Sequence, residues 1–494
     1  GSEGEQMKKY LALVLGVLFT LGFAASAFAI HAEIPAETQA VVAKGSTQIT
    51  MGGELRFRGE IQNNMDLDKA GGQTTATSVG ENTDTKSYYD GRVRLRIEAK
   101  VSKNTMGVIH LETGDSNGSA TNTGDTYTWG TVAGEGKGTY PQGNSKRGSM
   151  EILEAWIQHT GSGLLGIPAG IKVGHMPLAL GNKLFFDHSK FGDDAIVVFM
   201  DPTKELHVGL ITIKLNEYVY GTTASANSAD DADAYVFLMN YKSGKSSAGI
   251  DFTYVDDKRA GFTSSGRAGL LTPADKGTHL YNIGIRGETE VGGFGLKADF
   301  EKQGGESKAG PGRVMTGTTS EKMKYGGLAY LVGASYKLNP VKLSLVHAYG
   351  SGDNNSGDNK NKSFVTALSG TQNYTYVYDY RAMGAYGALG DGITNTNYIK
   401  LGANADLAKD LNADLNFYRL RASKEYAVTP GAWTTKGDSK KIGNELDAKI
   451  TYKIDKNLVY FVEGGYLWTG TFYNSATMAA DDAYAVRHGI TLSF

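Results

Sequence analysis

From Thr47 to the last residue, apolar and polar side chains alternate with period two, the spacing of a strand that has two different faces. The first such segment, predicted over about Thr47 to Gln62, sets Ile49, Met51, Leu55, Phe57 and Ile61 against Glu54, Arg56, Arg58 and Glu60. The next sets Val93, Leu95, Ile97, Ala99 and Val101 against Arg92, Arg94, Arg96, Glu98 and Lys100, and a tight turn at Ser102 to Thr105 leads into Val108 to Glu112. Further pairs of alternating segments flank Asp201 to Lys204, Ser243 to Ser246, Val291 to Gly293, Leu338 to Pro340, Ala408 to Asp410 and Asp455 to Asn457. A final segment, Tyr484 to Phe494, ends the chain on an aromatic residue. About eighteen strands (16–18) are expected, with connections that alternate short and long.

The fold class this predicts is all-β, an antiparallel up-and-down barrel that crosses a membrane. Many segments run ten residues or more, beyond the ~5–6 of an ordinary soluble strand. The polar face carries charge at successive positions, as in Glu445, Asp447, Lys449 and Lys453, while the other face ends in aromatics such as Tyr460, Tyr466 and Trp468. The core of a soluble sandwich would reject the first face, and a solvated outer face would not need the second to be apolar. Lipid outside and water inside accept both. On this reading the short turns are periplasmic and the long loops extracellular.

The front of the chain has the layout of an export signal. Residues 1–6 precede Met7 and read as a cloning remnant; residues 7–29 read as a signal peptide. Lys8 and Lys9 form its charged region, Tyr10 to Phe23 its apolar run, and Ala27-Phe28-Ala29 its cleavage pattern, with Ala25-Ser26-Ala27 as a second site. The run is shorter than the ~20 residues a spanning helix needs. Residues 30–45 are expected to be a periplasmic segment, with Pro35 to Lys44 a short helix or without structure, and 46–494 the barrel. The terminal strand resembles the targeting signal of Gram-negative outer-membrane barrels. Phe494, Leu492 and Ile490 would then be read by the barrel-assembly machinery before the strand closes against the first one.

From about Gly45 to Phe494 the chain resembles Gram-negative porins. Gly53-Glu54-Leu55-Arg56-Phe57-Arg58-Gly59-Glu60 and Arg92-Val93-Arg94-Leu95-Arg96-Ile97-Glu98-Ala99 look like the opening strands of porin-like and alginate-export-like barrels. Ile171 to Leu178, followed by Leu180-Gly181-Asn182, is similar to a segment those proteins often carry. The resemblance implies passive diffusion of small hydrophilic solutes and ions through a water-filled lumen in the bacterial outer membrane, surrounded by its lipid, often as a homotrimer. Alginate export itself would need an exceptionally basic conduit, and the lumen faces here carry both signs.

Composition narrows the remaining classes. The chain has 66 Gly, 28 Tyr, 9 Pro and no Cys, which suits a thin wall with aromatic girdles and excludes disulfides, iron–sulfur sites and covalent c-type haem. A formal charge of −2 gives no reason to expect a nucleic-acid partner. Mean hydropathy of −0.30 argues against a helical membrane protein but not against a barrel. No cofactor or metal is expected. The histidines lack a His-x-x-x-His arrangement and read as girdle or lumen residues; Asp353 to Asn355 and Gly357 to Asn359 lack calcium-loop spacing and read as solvated loop.

Two groups of residues are candidates for function. Arg56, Arg58, Arg92, Arg94 and Arg96, joined by Arg487 after closure, would form a basic wall along the lumen that attracts anions. Alternatively, Glu54, Glu60 and Glu98 neutralise it into an ordinary lumen network. The second group lies in Met176 to Asp194, where Leu184-Phe185-Phe186 sits among Lys183, Asp187, Lys190, Asp193 and Asp194. An apolar triplet in a polar loop suggests a constriction loop folded into the lumen, or else an extra strand or subunit contact. The chain is therefore expected to be a porin with no catalytic step. The competing class is a barrel sheath that holds a partner, such as an extracellular electron-transfer protein.

Overall fold

In the computed structural model each alternating segment is a strand that pairs antiparallel with the next. The structure describes residues 40–44, 47–65, 67, 85–113, 127–129, 150–163, 166–216, 231–258, 277–308, 321–354, 358–366, 368, 374–383, 392–425, 439–474 and 479–494. The segments read as a remnant (1–6) and a signal peptide (7–29) lie outside them. Eighteen strands make the wall: β1 (Thr47–Asn63), β2 (Thr85–Lys100), β3 (Thr105–Thr113), β4 (Met150–Ser162), β5 (Pro168–Met176), β6 (Asp193–Met200), β7 (Leu206–Asn216), β8 (Ala232–Ser243), β9 (Ser246–Asp257), β10 (Thr278–Val291), β11 (Phe294–Lys308), β12 (Leu328–Leu338), β13 (Val341–Gly350), β14 (Thr396–Ala408), β15 (Leu411–Ala422), β16 (Lys441–Asp455), β17 (Leu458–Thr469) and β18 (Ala483–Ser493). The sheet closes on itself where β18 pairs with β1, from Glu54↔Ser493 to Asn63↔Tyr484. Closure pairs the first and last strands of the sheet with each other over Glu54–Asn63 instead of leaving them as edges.

Connections on one rim are tight turns and those on the other are long, as the sequence predicts. The β10–β11 hairpin turns through Gly292 and Gly293, at φ 59° and 84°. Positive φ at both central residues is the type I′ geometry whose twist suits a two-residue hairpin, and glycine adopts it without steric penalty. The outer face carries exposed Phe252, Ile283, Phe300, Leu401 and Phe417, side chains that belong against acyl chains. Part of the glycine content serves this wall. The Tyr281 ring lies over Gly304 and the Phe494 ring over Gly53, so that a side chain at either glycine would collide with its ring.

One expectation at the N-terminal end needs correction. In its described part, Pro35 to Lys44 is a strand rather than a helix: Ala40–Lys44 pairs antiparallel with Thr47 to Met51. The reason is an edge. β1 runs farther than β18, after which Phe494 exchanges backbone hydrogen bonds with Gly53, and the short strand covers the ladder groups left below. Three other short strands extend the wall at its long-loop rim. Tyr127–Thr128 pairs with Asp90 and Gly91, Lys322–Tyr325 with Glu306 to Lys308, and Lys360–Asn361 in parallel with Lys324 and Tyr325.

The inside of the barrel is not polar all the way round. Ala195 on β6, Ile211 and Ile213 on β7, and Ala234 and Val236 on β8 turn apolar side chains inward. They form one buried cluster with Leu180, Leu184, Phe185 and Phe186 from the β5–β6 loop and with Phe364, Val365 and Leu368 from the β13–β14 connection. Burial of each large side chain of this kind contributes roughly 1.5–3 kcal/mol, enough together to hold both loops inside the wall.

Candidate functional site: the loop-filled lumen

The β5–β6 loop reaches across the bore. The backbone N–H of Asn182 donates to Asp299 Oδ2 at 2.6 Å, and its side-chain Nδ2 donates to the same oxygen at 3.1 Å. Asp299 stands on the inner face of β11, beside Asp251, Arg286 and Glu301. Leu184, Phe185 and Phe186 are at most 1% exposed. Phe186 bridges in parallel to Leu368, Asp187 N–H donates to Leu368 O at 2.7 Å, and the Phe185 and Phe364 rings meet edge to face. The two loops thus form one body.

The charged residues of this loop do not face one another across an open bore. Lys183 Nζ donates to Ser189 Oγ at 3.0 Å and lies 3.4 Å from Asp187 Oδ1. Asp193 belongs to β6 and pairs with His188 at 2.7 Å. Asp194, its neighbour, is on the opposite face and pairs with His175 at 3.0 Å, because adjacent residues of a strand point to opposite sides. Lys190 Nζ lies 5.2 Å from the centre of the Phe191 ring.

The β13–β14 connection, part of which was expected as a solvated loop, supplies the other half of the body. Its first part is tied to β11 by Gln303, which donates from Nε2 to Val365 O at 2.8 Å and accepts from Val365 N–H at 2.7 Å. Its second part is a short π-helix, Tyr378–Met383, anchored on the far side of the lumen. Glu445 of β16 accepts the N–H groups of Val377 and Tyr378 at 2.5 and 2.9 Å, and Asp447 accepts that of Tyr376 at 3.0 Å. Arg381 Nε donates to Glu60 Oε1 at 2.7 Å, with its guanidinium 3.7 Å over the Tyr376 ring. The available signal was the run of tyrosines from Tyr374 to Tyr380, dense for a polar loop. Asp353 and Asp358, weighed as calcium ligands, accept the backbone N–H groups of Lys362 and Lys360.

The arginines lie together on the lumen face, and carboxylates are interleaved with them. Arg58 pairs with Asp90 at 2.8 Å, Arg92 with Glu54 at 2.5 Å, Arg94 with Glu112 at 2.8 Å and Arg96 with Glu154 at 2.8 Å. Arg487 Nε donates to Glu463 Oε1 at 2.6 Å, and its Nη1 lies 3.7 Å from Glu60. Glu98 is 3.7 Å from Arg96, and Arg56 is the register partner of Arg92. Glu154 also meets His110 and Trp156 at 3.0 and 2.8 Å. The wall is therefore a ladder of ion pairs.

Tyr380 sits at the meeting point of the wall and the loops. The guanidinium carbon of Arg381 lies 4.6 Å from the centre of its ring, and that of Arg487 lies 5.8 Å away. The residue is 38% exposed, yet the enclosing lumen would by itself raise its phenol; Arg487 and Arg381, with Lys190 and Arg58 beyond them, outweigh this and bring it down to about 8. Among the described residues no group of three His, Asp or Glu side chains is placed to hold a metal.

Comparison with known proteins agrees with this architecture. The structure superposes on Acinetobacter baumannii OccAB1 with a TM-score of 0.51 at 12% identity, covering 90% of this chain and 97% of that one. Against Pseudomonas aeruginosa OccK9 (OpdG) the TM-score is 0.50 at 10% identity, covering 90% and 98%. Likeness at that identity concerns the fold, the barrel of outer-membrane channels. No functionally curated sequence matches. The family model described as alginate export matches residues 47–486. With nearly the whole barrel inside that match, the chain belongs to the alginate-export family of bacterial outer-membrane channel proteins.

Proposed function

We propose that the protein is a narrow passive channel for small hydrophilic solutes, admitting anions slightly ahead of cations, with no chemical step. The two inward loops narrow the bore, and the passage runs along the part of the polar wall they leave exposed, where Arg96 and Glu98 stand. The observation that carries the charge preference is unequal exposure within the ion pairs. The Arg96 side chain is 25% exposed against 4% for Glu154, and Arg58 is 10% exposed against 3% for Asp90. At these two pairs a passing solute meets the guanidinium rather than its partner carboxylate, while Glu112 and Glu98, at 10% and 30%, are slightly more exposed than Arg94 and Arg96, at 6% and 25%, so the preference is small. A carboxylate occupies two of the five donors of a guanidinium, so the pairing leaves donors for a transient anion.

The cargo in the family's description is not transferred to this chain. A polyuronate conduit calls for cations without counter-charges, and here carboxylates neutralise most of the wall. A sheath around a folded partner is disfavoured because the chain's own loops occupy the lumen. The test is current through the pure protein in a planar bilayer under a salt gradient. Ohmic steps with a reversal potential of anion sign are expected. A sealed bilayer would remove the channel, and a reversal potential of cation sign would remove the preference.

A further inference from the structure

The outer face of β15 and β16 departs from the apolar pattern of the wall. Arg421 and Lys441 are register partners there, and Arg419 lies two residues from Arg421 on the same face. All three are exposed. Residues directly opposite in such a pair have Cβ atoms about 5 Å apart, and like charges placed so are destabilising. Among the described residues nothing next to them relieves the repulsion. The register neighbours of Arg419 are Ile399 and Asn444, and Arg421 faces Asn397 on its other side. Among the described residues none of the three side chains makes an ion pair or a hydrogen bond. Several other rim cations are matched within the chain: Lys214 by Asp231 and Asp233, Lys258 by Asp256 and Lys308 by Glu306.

Height supplies the second argument. β15 starts at a short turn and ends at a long loop, so Arg419 and Arg421 stand at its extracellular end, next along the outer face after exposed Phe417. Trp468, which pairs with Asn444, is exposed beside them. Aromatic side chains of this kind mark the border of the hydrocarbon, and side chains just beyond it lie among lipid headgroups. Two guanidiniums and an ammonium carried side by side on two paired strands can converge on the oxygens of a phosphate.

We propose that Arg419, Arg421 and Lys441 seat the phosphate of an outer-leaflet lipid headgroup. The site is outside the lumen and does not depend on which solute the channel passes. The test is native mass spectrometry of the intact barrel with a phosphorylated diglucosamine lipid and with its dephosphorylated form. The wild-type protein is expected to retain the phosphorylated lipid at least tenfold better. Combined Arg419→Gln, Arg421→Gln and Lys441→Gln should abolish that preference, whereas Arg419→Lys with Arg421→Lys should keep it. In lipid-free detergent the triple variant should melt no lower than wild type, since the repulsion is gone, and its conductance should be unchanged. Equal retention of the two lipids by the wild type would overturn the proposal even if the triple variant failed to fold. So would an undiminished preference in a folded triple variant, an altered conductance, or displacement of the lipid by millimolar inorganic phosphate.

Discussion

Tyr380 shows what single residues contribute inside this barrel. Its phenol is held near 8 by the cations around it, so it is neutral at pH 6 and largely ionised at pH 10. Ionisation would add one negative charge between Arg381 and Arg487 and weaken the pull on anions. Reversal potentials measured from pH 6 to 10 are therefore expected to drift toward cations around pH 8, and Tyr380→Phe should flatten the drift. Glu445 gives a second case. It is fully buried and accepts two backbone N–H groups from the start of the π-helix. Loss of hydrogen bonds to a charged group costs about 1.5–3 kcal/mol each. Glu445→Ala should loosen the inner end of the β13–β14 connection, and single-channel traces should show more frequent flicker with the barrel still folded. The sequence placed Glu445 on a lumen face but gave no hint of its partners. They lie 67 and 68 positions away, and period-two spacing reports which way a side chain points, not what meets it.

The strands were the legible elements. Alternation registers in every one because each strand of a lipid-facing wall solves the same problem of an oily face and a wet face. Strand ends differ by a few residues: β6 begins at Asp193, inside the segment Met176 to Asp194 read as a loop, which is why Asp193 and Asp194 belong to opposite faces and not to one loop. The loops were less legible. Leu184-Phe185-Phe186 stood out as apolar where water was expected, yet the triplet could not name Phe364 and Leu368 as its complement, since a buried contact between two loops has no period to read. The body they form makes a definite prediction. Removal of Lys183 to Lys190 deletes the triplet and uncovers Phe364, and single-channel conductance should rise severalfold; an unchanged value would mean that the loop does not limit the passage. A smaller change separates docking from mere presence. Phe185→Ala opens a cavity in the joint, a change of the kind that costs about 3–5 kcal/mol, and should give intermittent openings to a larger level rather than a uniformly larger pore.

At the scale of the whole molecule, the junction of β18 with β1 decides whether there is a barrel at all. It joins the two ends of the sequence through a full ladder, and β18 is held as extensively by β17 on its other side. Phe494 stands just past this ladder. It adds two backbone hydrogen bonds to Gly53, at 2.7 and 3.0 Å, and a ring laid over that glycine, and it remains 42% exposed. Neutral backbone hydrogen bonds contribute about 0.5–1.5 kcal/mol each, so the residue is a minor part of a closed barrel's stability. If its larger role is as a signal during assembly, equilibrium and yield should part company when it is removed. Deletion of Phe494 should lower the melting temperature by only a few degrees after refolding from denaturant into detergent, judged by heat-modifiable migration on gels. The amount of folded protein in the outer membrane of producing cells should fall severalfold. Gly53→Leu gives the converse. It leaves the terminal aromatic in place but collides with the ring and with Arg94 O, and crowding of this kind costs about 1–3 kcal/mol. Its refolded barrel should melt lower than the Phe494 deletion while more of it reaches the membrane. Equal losses in both assays for both variants would mean that Phe494 acts only by packing.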